Sequence, residues 1–371
     1  MYLCSKLSIL MKDYPQFMSS EFLELPNEGK IICTSPSNIA LVKYWGKRPV
    51  QLPENPSISF TLNTCKTSTS LTYKKRDVVS KDFDFELLFE GKPKPDFKPK
   101  IQSFFERIEE YLPFLKQYTF TIETSNTFPH SSGIASSASG MSALAFCLMQ
   151  LEKKINHDIE DEELLQKTSF LARLGSGSAC RSIEGPITVW GKHHEIENSN
   201  DAFAIKFPHK IHQNFEKYCD TILLIDKGEK QVSSTVGHDL MHGHPFAERR
   251  FEQAAENLTK LKHVLISGDM DSFIEVVESE ALTLHAMMMT SLPYFILMKP
   301  NTLSVINKVW GYRKKTGSKL CFTLDAGANV HLLYPDSEKE EVLDFITSEL
   351  VAYCQNGQYI CDKIGLGAKI L

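Results

Sequence analysis

No run of apolar residues approaches the roughly 18 needed to cross a bilayer anywhere in the 371-residue sequence, so no membrane-spanning helix is expected. Basic charge is not in surplus either. Lys and Arg number 41 against 46 Asp and Glu, a formal net charge of -5, which leaves no electrostatic footprint for a nucleic-acid backbone. Any phosphate site has to be built locally. The nine cysteines are odd in number and contain no Cys-x-x-Cys pair, which argues against a disulfide framework and for reduced thiols in a cytoplasmic protein. His193, His194, His242 and His244 fit no closed zinc spacing and read as surface residues. The opening MYLCSKLSILMKDYPQF is broken by Lys6, Lys12 and Asp13. It lacks a full signal-peptide core, and residues 1–25 read as a flexible extension.

What is present is an ordinary globular chain, too long for one hydrophobic core, so two units sharing a cleft are expected. Residues 26–210 and 211–371 form the two, because the buried-strand pattern DTILLIDKG (220–228) starts a new run. SISFTLN (57–63) and TSTSLTY (67–73) read as two antiparallel strands around Thr64-Cys65-Lys66. DFDFELLFEG (82–91), TFTIETS (119–125) and PITVWG (186–191) are further strands. Helical spacing predicts helices over 98–112, 160–173 and 246–265, with another carrying Phe273, Val277, Ala281 and Leu284 on one face. KLCFTLDAGANVHLLYP (319–335) has the pattern strand, turn, strand.

FPHSSGIASSASG (128–140) is the first segment with chemistry in it. Its small residues Gly133, Ala135, Ser136, Ser137, Ala138 and Gly140 leave the backbone bare where a helix is predicted to begin. N–H groups there can converge on an anion, and Ser132, Ser136 and Ser137 can add hydroxyls, the last two also as ligands to a nucleotide-borne Mg2+. The plainer reading is a helix start with a small-residue packing face. No Gly-Lys-Ser/Thr follows, so this is not a Walker loop. The segment resembles the P-x3-G-L-x-S-S-A motif of the GHMP small-molecule kinases, with Ile134 in place of Leu, and in that superfamily the motif holds ATP phosphates.

PSNIALVKYWGKRPVQLPENPSISFTLN (36–63), ARLGSGSACRSIEGP (172–186) and FTLDAGANVHLL (322–333) narrow the resemblance. In this order they resemble the three signatures of the mevalonate diphosphate decarboxylases. The resemblance implies a two-domain α+β GHMP fold, with a ribosomal-protein-S5-like N-terminal half and a ferredoxin-like α/β C-terminal half. It also implies ATP and Mg2+ as cofactors, mevalonate 5-diphosphate as substrate, isopentenyl diphosphate as product and a homodimer.

The implied roles are specific. Asp325 would orient or deprotonate the 3-hydroxyl, where an Asx turn is the plainer reading. Lys43 would neutralise the phosphoryl group in flight, and Arg181 would fork onto the substrate carboxylate. Tyr44, Trp45, Gly46, Lys47, Lys100, Ser176, Gly177, Ser178 and Thr235 would contact substrate, Thr235 doubling as a helix N-cap. The chain departs from the family pattern at Ala328, at Glu184-Gly185-Pro186, at His130 and in SEALTLHAMMM (279–289), where His285 persists. The alternatives are a GHMP enzyme acting on mevalonate or its 5-phosphate, whether kinase or decarboxylase, and an inactive nucleotide-binding regulator.

Overall fold

The computed structural model describes residues 14–19, 24–129, 134–228 and 234–371, with Ser234 and Thr235 described in backbone only. Two long strands, β1 (Glu28–Val42) and β4 (Ser57–Lys75), form the spine. They pair antiparallel from Glu28 opposite Lys74 to Val42 opposite Ile58. The short hairpin β2 (Lys47–Arg48) and β3 (Leu52–Pro53) lies between them in sequence. Val50 and Gln51 turn this hairpin with φ of 60° and 62°, and the buried Arg173 guanidinium holds the Val50 carbonyl at 2.5 Å.

The expected break at Thr64-Cys65-Lys66 does not occur. β4 continues through it because the Asp362 carboxylate accepts the N–H groups of Asn63, Thr64 and Cys65 at 3.0, 2.7 and 2.7 Å. It does so where the register with β1 slips beside Pro36, a residue without an N–H.

β5 (Asp84–Phe89), β6 (Lys92–Pro93), α1 (Lys98–Ile108) and β7 (Tyr118–Asn126) follow, then α2 (Ser136–Ile155) and α3 (Asp161–Gly175). β8 (Ile187–Trp190) and β9 (Ile205–Lys206) complete the first half. The sheet runs β14-β1-β4-β7-β5-β6, with β8 and β9 continuing from β4 and β14 (Lys369–Ile370) coming from the far end of the chain. α2 is apolar nearly all round because it lies against both the sheet and α3; Leu144, Leu148 and Met149 share one core with Leu71, Phe105, Phe120 and Ile122.

Part of the expected N-terminal extension is core. Phe17 is 2% exposed and stacks on Phe170 at 4.6 Å between centroids, while Ser19 Oγ accepts from Lys167 Nζ at 2.9 Å. A single aromatic anchor offsets the ordering of a short segment, since burying a Phe contributes about 2–3 kcal/mol.

The second half holds β10 (Cys219–Leu223), α4 (Ser234–Asp239), α5 (Ala247–Ser267), α6 (Met270–Thr290) and α7 (Pro300–Thr316). It continues with β11 (Cys321–Thr323), β12 (Val330–Tyr334), α8 (Lys339–Phe345) and β13 (Tyr359–Lys363). Its sheet order β11-β12-β10-β13, antiparallel throughout, is the ferredoxin-like arrangement. α7 was not read from the sequence, although Pro300 at its start and Gly317 at its left-handed end, φ 76°, mark both termini.

The boundary near residue 210 separates two sheets but not two cores. One apolar cluster joins Ile58, Phe60 and Leu62 of β4 to Leu258, Leu261 and Phe273 of the C-terminal helices, and β14 closes back onto β1.

The tightest join lies at Lys43, the first residue after β1. Its N–H donates to Glu280 Oε2 at 2.8 Å, and its carbonyl accepts from Asn55 Nδ2 at 2.9 Å and Arg250 NH2 at 3.1 Å. Glu280 and Arg250 side chains are both 0% exposed. Glu280 is satisfied on both oxygens, by Arg250 NH1 at 3.0 Å, Arg250 NH2 at 2.6 Å and Asn257 Nδ2 at 2.6 Å. Glu280→Leu strands a buried guanidinium and is expected to lower unfolding free energy by roughly 3–5 kcal/mol in urea denaturation. The pair Glu280→Leu, Arg250→Met is expected to lose less than the sum of the two single changes.

Candidate active site

β1 runs into the cleft and delivers Lys43 at its end. Lys43 Nζ lies 3.1 Å from Asp325 Oδ1, with side chains 2% and 27% exposed. Burial pulls the ammonium's pKa down, and Asp325 with Glu280 pulls it back up. Asp325 sits just past β11 in the turn before β12. Its carbonyl is held by His285 Nε2 at 3.1 Å, so α6 fixes Lys43 through Glu280 and Asp325 through His285.

Arg181 lies in the short helical segment Gly177–Ser182 that follows α3. It is 4% exposed, its NH1 donates to Ser57 Oγ at 2.7 Å, and its guanidinium stands 5.9 Å over the Trp190 ring. Its Nε is buried without a hydrogen-bond partner among the described residues. Asp325 and Tyr44 favour its charge against burial, and its own charge depresses Lys43. The three residues proposed for catalysis therefore act on one another electrostatically.

Tyr44 packs edge-on to Trp190 at 4.7 Å, with its hydroxyl buried and unpartnered. Gly177 has no room for a side chain, because a Cβ would come within 2.9 Å of that hydroxyl. Ser176 and Ser178 are half-buried beside it. Buried polar atoms normally have a partner or carry a penalty; the Tyr44 hydroxyl and Arg181 Nε are groups a polar ligand could satisfy.

Trp45 is 3% exposed, packed with Met241, Leu284 and Met288, and Gly46 donates its N–H to His238 Nδ1 at 3.0 Å. Both residues tie the loop to the C-terminal half. Lys47 remains half-buried, 3.7 Å from Asp239.

Lys100, read as a substrate contact, donates to Ser137 Oγ at 3.0 Å, which places it over the start of α2. There Ala135 takes a left-handed φ of 43° immediately before the helix, and Ser137 is exposed while Ser136 is half-buried. First-turn N–H groups without intrahelical acceptors, hydroxyls and one ammonium are a donor set that fits a magnesium-bound polyphosphate. Ala138 is buried in the core, and Gly140 lies inside the helix with open space where a Cβ would go. Ser132 and Gly133 lie outside the described residues, as does the side chain of Thr235.

Sequence reasoning missed Asn55, Ser57, His238, Arg250 and Glu280. Glu280 carried a signal, a lone carboxylate beside Ala281 on an apolar helix face. His193 and His244, read as surface residues, are 5% and 7% exposed and bond the carbonyls of Ala255 and Met287.

Burial pushes the His285 pKa down to about 4 and the His238 pKa down to about 3. Both stay neutral in the fold at pH values where the unfolded chain, titrating near 6.5, binds a proton. Stability present above pH 6.5 is therefore lost as pH falls toward about 4, each histidine contributing up to about 1.4 kcal/mol per pH unit. Urea midpoints at about pH 7.5 and about pH 5 measure this, and His285→Gln is expected to flatten the difference.

The N-terminal half, residues 35–204, matches the model of the diphosphomevalonate decarboxylase-like N-terminal domain. Residues 221–365 match that of the mevalonate 5-diphosphate decarboxylase C-terminal domain. Among curated relatives, the chain is 28% identical over 333 residues to diphosphomevalonate decarboxylase mvd1 of Aspergillus fumigatus, covering 85% of this chain and 80% of the relative. It is 27% identical to the diphosphomevalonate decarboxylase of Homo sapiens, covering 86% and 79%. Among solved structures, it superposes on mevalonate diphosphate decarboxylase from Staphylococcus aureus with a TM-score of 0.79 at 27% identity, covering 93% and 98%. A structure described as MDDEF in complex with MVAPP, AMPPCP and magnesium gives a TM-score of 0.79 at 26% identity, covering 93% and 99%. Both halves are matched in order by models of one family, and the fold is shared with that family's solved members: the chain belongs to the mevalonate diphosphate decarboxylases.

Proposed function

We infer that this protein catalyses the ATP- and Mg2+-dependent decarboxylation of mevalonate 5-diphosphate to isopentenyl diphosphate, releasing ADP, phosphate and CO2. The observation that carries the reading is the Lys43–Asp325 pair at 3.1 Å, with the buried Arg181 in electrostatic reach of both.

Three demands are met by three groups. The tertiary 3-hydroxyl is crowded and must be aimed at the γ-phosphorus; Asp325, fixed through its backbone by His285, accepts its hydrogen bond and takes the proton as the oxygen is phosphorylated. Lys43 supplies positive charge beside the phosphoryl oxygens, and Mg2+ supplies the rest when bound with the nucleotide at the start of α2. In the second stage the C–O bond breaks with its electron pair leaving on phosphate. The pair of the carboxylate C–C bond becomes the alkene as CO2 departs.

Arg181 holds that carboxylate in line. Its grip is chiefly orienting, because a carboxylate stabilised as an anion more than in the transition state would lose its CO2 more slowly. Lys47 and Tyr44 serve the diphosphate end, and Lys100 serves the nucleotide phosphates. The eight free cysteine thiols among the described residues support a reducing, cytoplasmic setting. The homodimer is proposed from the family resemblance alone.

The test is a product analysis with purified protein, ATP and Mg2+, offering mevalonate, its 5-phosphate and its 5-diphosphate separately. ADP, CO2 and isopentenyl diphosphate are expected from the diphosphate. ADP with a stable phosphorylated product and no CO2 would make the protein a kinase, and CO2 from the monophosphate would reassign the substrate. Asp325→Asn is expected to lower kcat roughly 10²- to 10⁴-fold; unchanged turnover would remove Asp325 from the mechanism.

A further inference from the structure

His238 joins the two halves of the chain. It lies on α4, in the C-terminal half, yet its ring is laid across three successive residues of the loop after β1. Its centroid is 4.3 Å from that of Tyr44 and 4.6 Å from that of Trp45, and its Nδ1 accepts the Gly46 N–H at 3.0 Å. Gly237, the preceding residue, makes this seating possible: a Cβ there would come within 2.6 Å of the Trp45 ring.

A backbone N–H can only donate, so Nδ1 must be the unprotonated nitrogen and the ring proton resides on Nε2. The charged groups around the ring are Lys47 and Arg181, with Asp239 of the same helix paired to Lys47 at 3.7 Å. Burial and those two cations keep the imidazole neutral. His238 is 9% exposed, and its Nε2 makes no hydrogen bond to a described residue. A neutral N–H donor therefore sits against Tyr44 and Gly46, within electrostatic reach of two cations that the proposed function assigns to opposite ends of one substrate.

We propose that His238 is a substrate-binding residue, whose Nε2–H donates a hydrogen bond to an anionic oxygen of the substrate held between Lys47 and Arg181. The proposal rests on the reaction assigned above. A donor without charge suits this place. It orients the anion and reads the presence of an acceptor, without adding a third cation that would hold the carboxylate against CO2 loss.

The experiment uses the full chain labelled with 15N-histidine, with the His238 signals assigned by their loss in His238→Gln. Long-range 1H–15N spectra are expected to show the Nε2–H tautomer in the free protein and a displaced Nε2–H signal on saturation with mevalonate 5-diphosphate. A proton on Nδ1, or an Nε2–H signal unmoved by saturating substrate, would overturn the proposal; a ring that served packing alone would give the second result. In kinetics, His238→Phe keeps a stacked ring and removes both the Nε2–H donor and the acceptor of the Gly46 N–H, and KM for mevalonate 5-diphosphate is expected to rise roughly 10- to 100-fold with KM for ATP unchanged. His238→Gln, which restores an N–H, is expected to recover part of the loss, and an unaltered KM in His238→Phe would also overturn the proposal. If His238→Phe does not fold, the spectra of the unaltered protein decide. Absence of CO2 release by the unaltered protein refutes the assigned reaction instead, so the two failures are distinguishable.

Discussion

The chemistry of this protein depends on a buried ion pair that touches no ligand. Arg250 and Glu280 are withdrawn completely from solvent and spend part of their hydrogen-bonding capacity on the backbone of Lys43. A strand end would ordinarily fray, because its last N–H and carbonyl lack ladder partners. Here those two groups are held by one carboxylate, one guanidinium and the Asn55 amide. The ammonium of Lys43 is thereby placed in register with Asp325, whose own carbonyl is tied to the same helix by His285. Buried pairs are poor sources of stability against an apolar substitute. This one fixes a geometry that apolar packing could not, since apolar contacts do not select among backbone orientations.

The same cleft is unbalanced in charge. Lys43 and Arg181 repel one another there and Lys47 is near, while Asp325 and the exposed Asp239 are the carboxylates set against Lys43 and Lys47. Burial acts against each charged form, which is why Lys43 and Arg181 are both displaced downward. An anionic substrate with magnesium-bound nucleotide relieves that imbalance. The unpartnered Tyr44 hydroxyl and Arg181 Nε tell the same story in hydrogen-bond terms. Ligand binding and relief of an electrostatic penalty are one event here, so affinity is drawn from the fold's own strain.

How much of this was legible in the sequence depends on range. Local grammar gave the helix after the phosphate loop, the strand before it and the Asp325 turn, because small residues, periodicity and β-branched runs act over a few neighbours. The resemblance of three segments carried the fold and pointed to Lys43, Arg181 and Asp325, which the structure brings within electrostatic reach of one another. What failed was long-range. Thr64-Cys65-Lys66 looks like a break until Asp362, almost 300 positions on, supplies the acceptors. Phe17 belongs to a stretch that reads as a frayed terminus until Phe170 is brought beside it. Nothing in KYWGK reveals that Met241, Leu284 and Met288 will enclose Trp45. His238 was invisible for a narrower reason, since the VSSTVG resemblance stops one residue short of it.

Neither half of the chain holds a working site alone. The first contributes Lys43, Arg181 and the start of α2; the second contributes Asp325, His238 and the ion pair that fixes Lys43. Such a division would be fragile if the halves met only at a cleft, because domain interfaces of modest size permit relative motion. The shared core under β4 and the return of β14 to β1 remove that freedom. The floor on which Lys43 and Asp325 meet is therefore as rigid as the interior of a single domain, and this suits a phosphoryl transfer in which positioning supplies most of the catalysis.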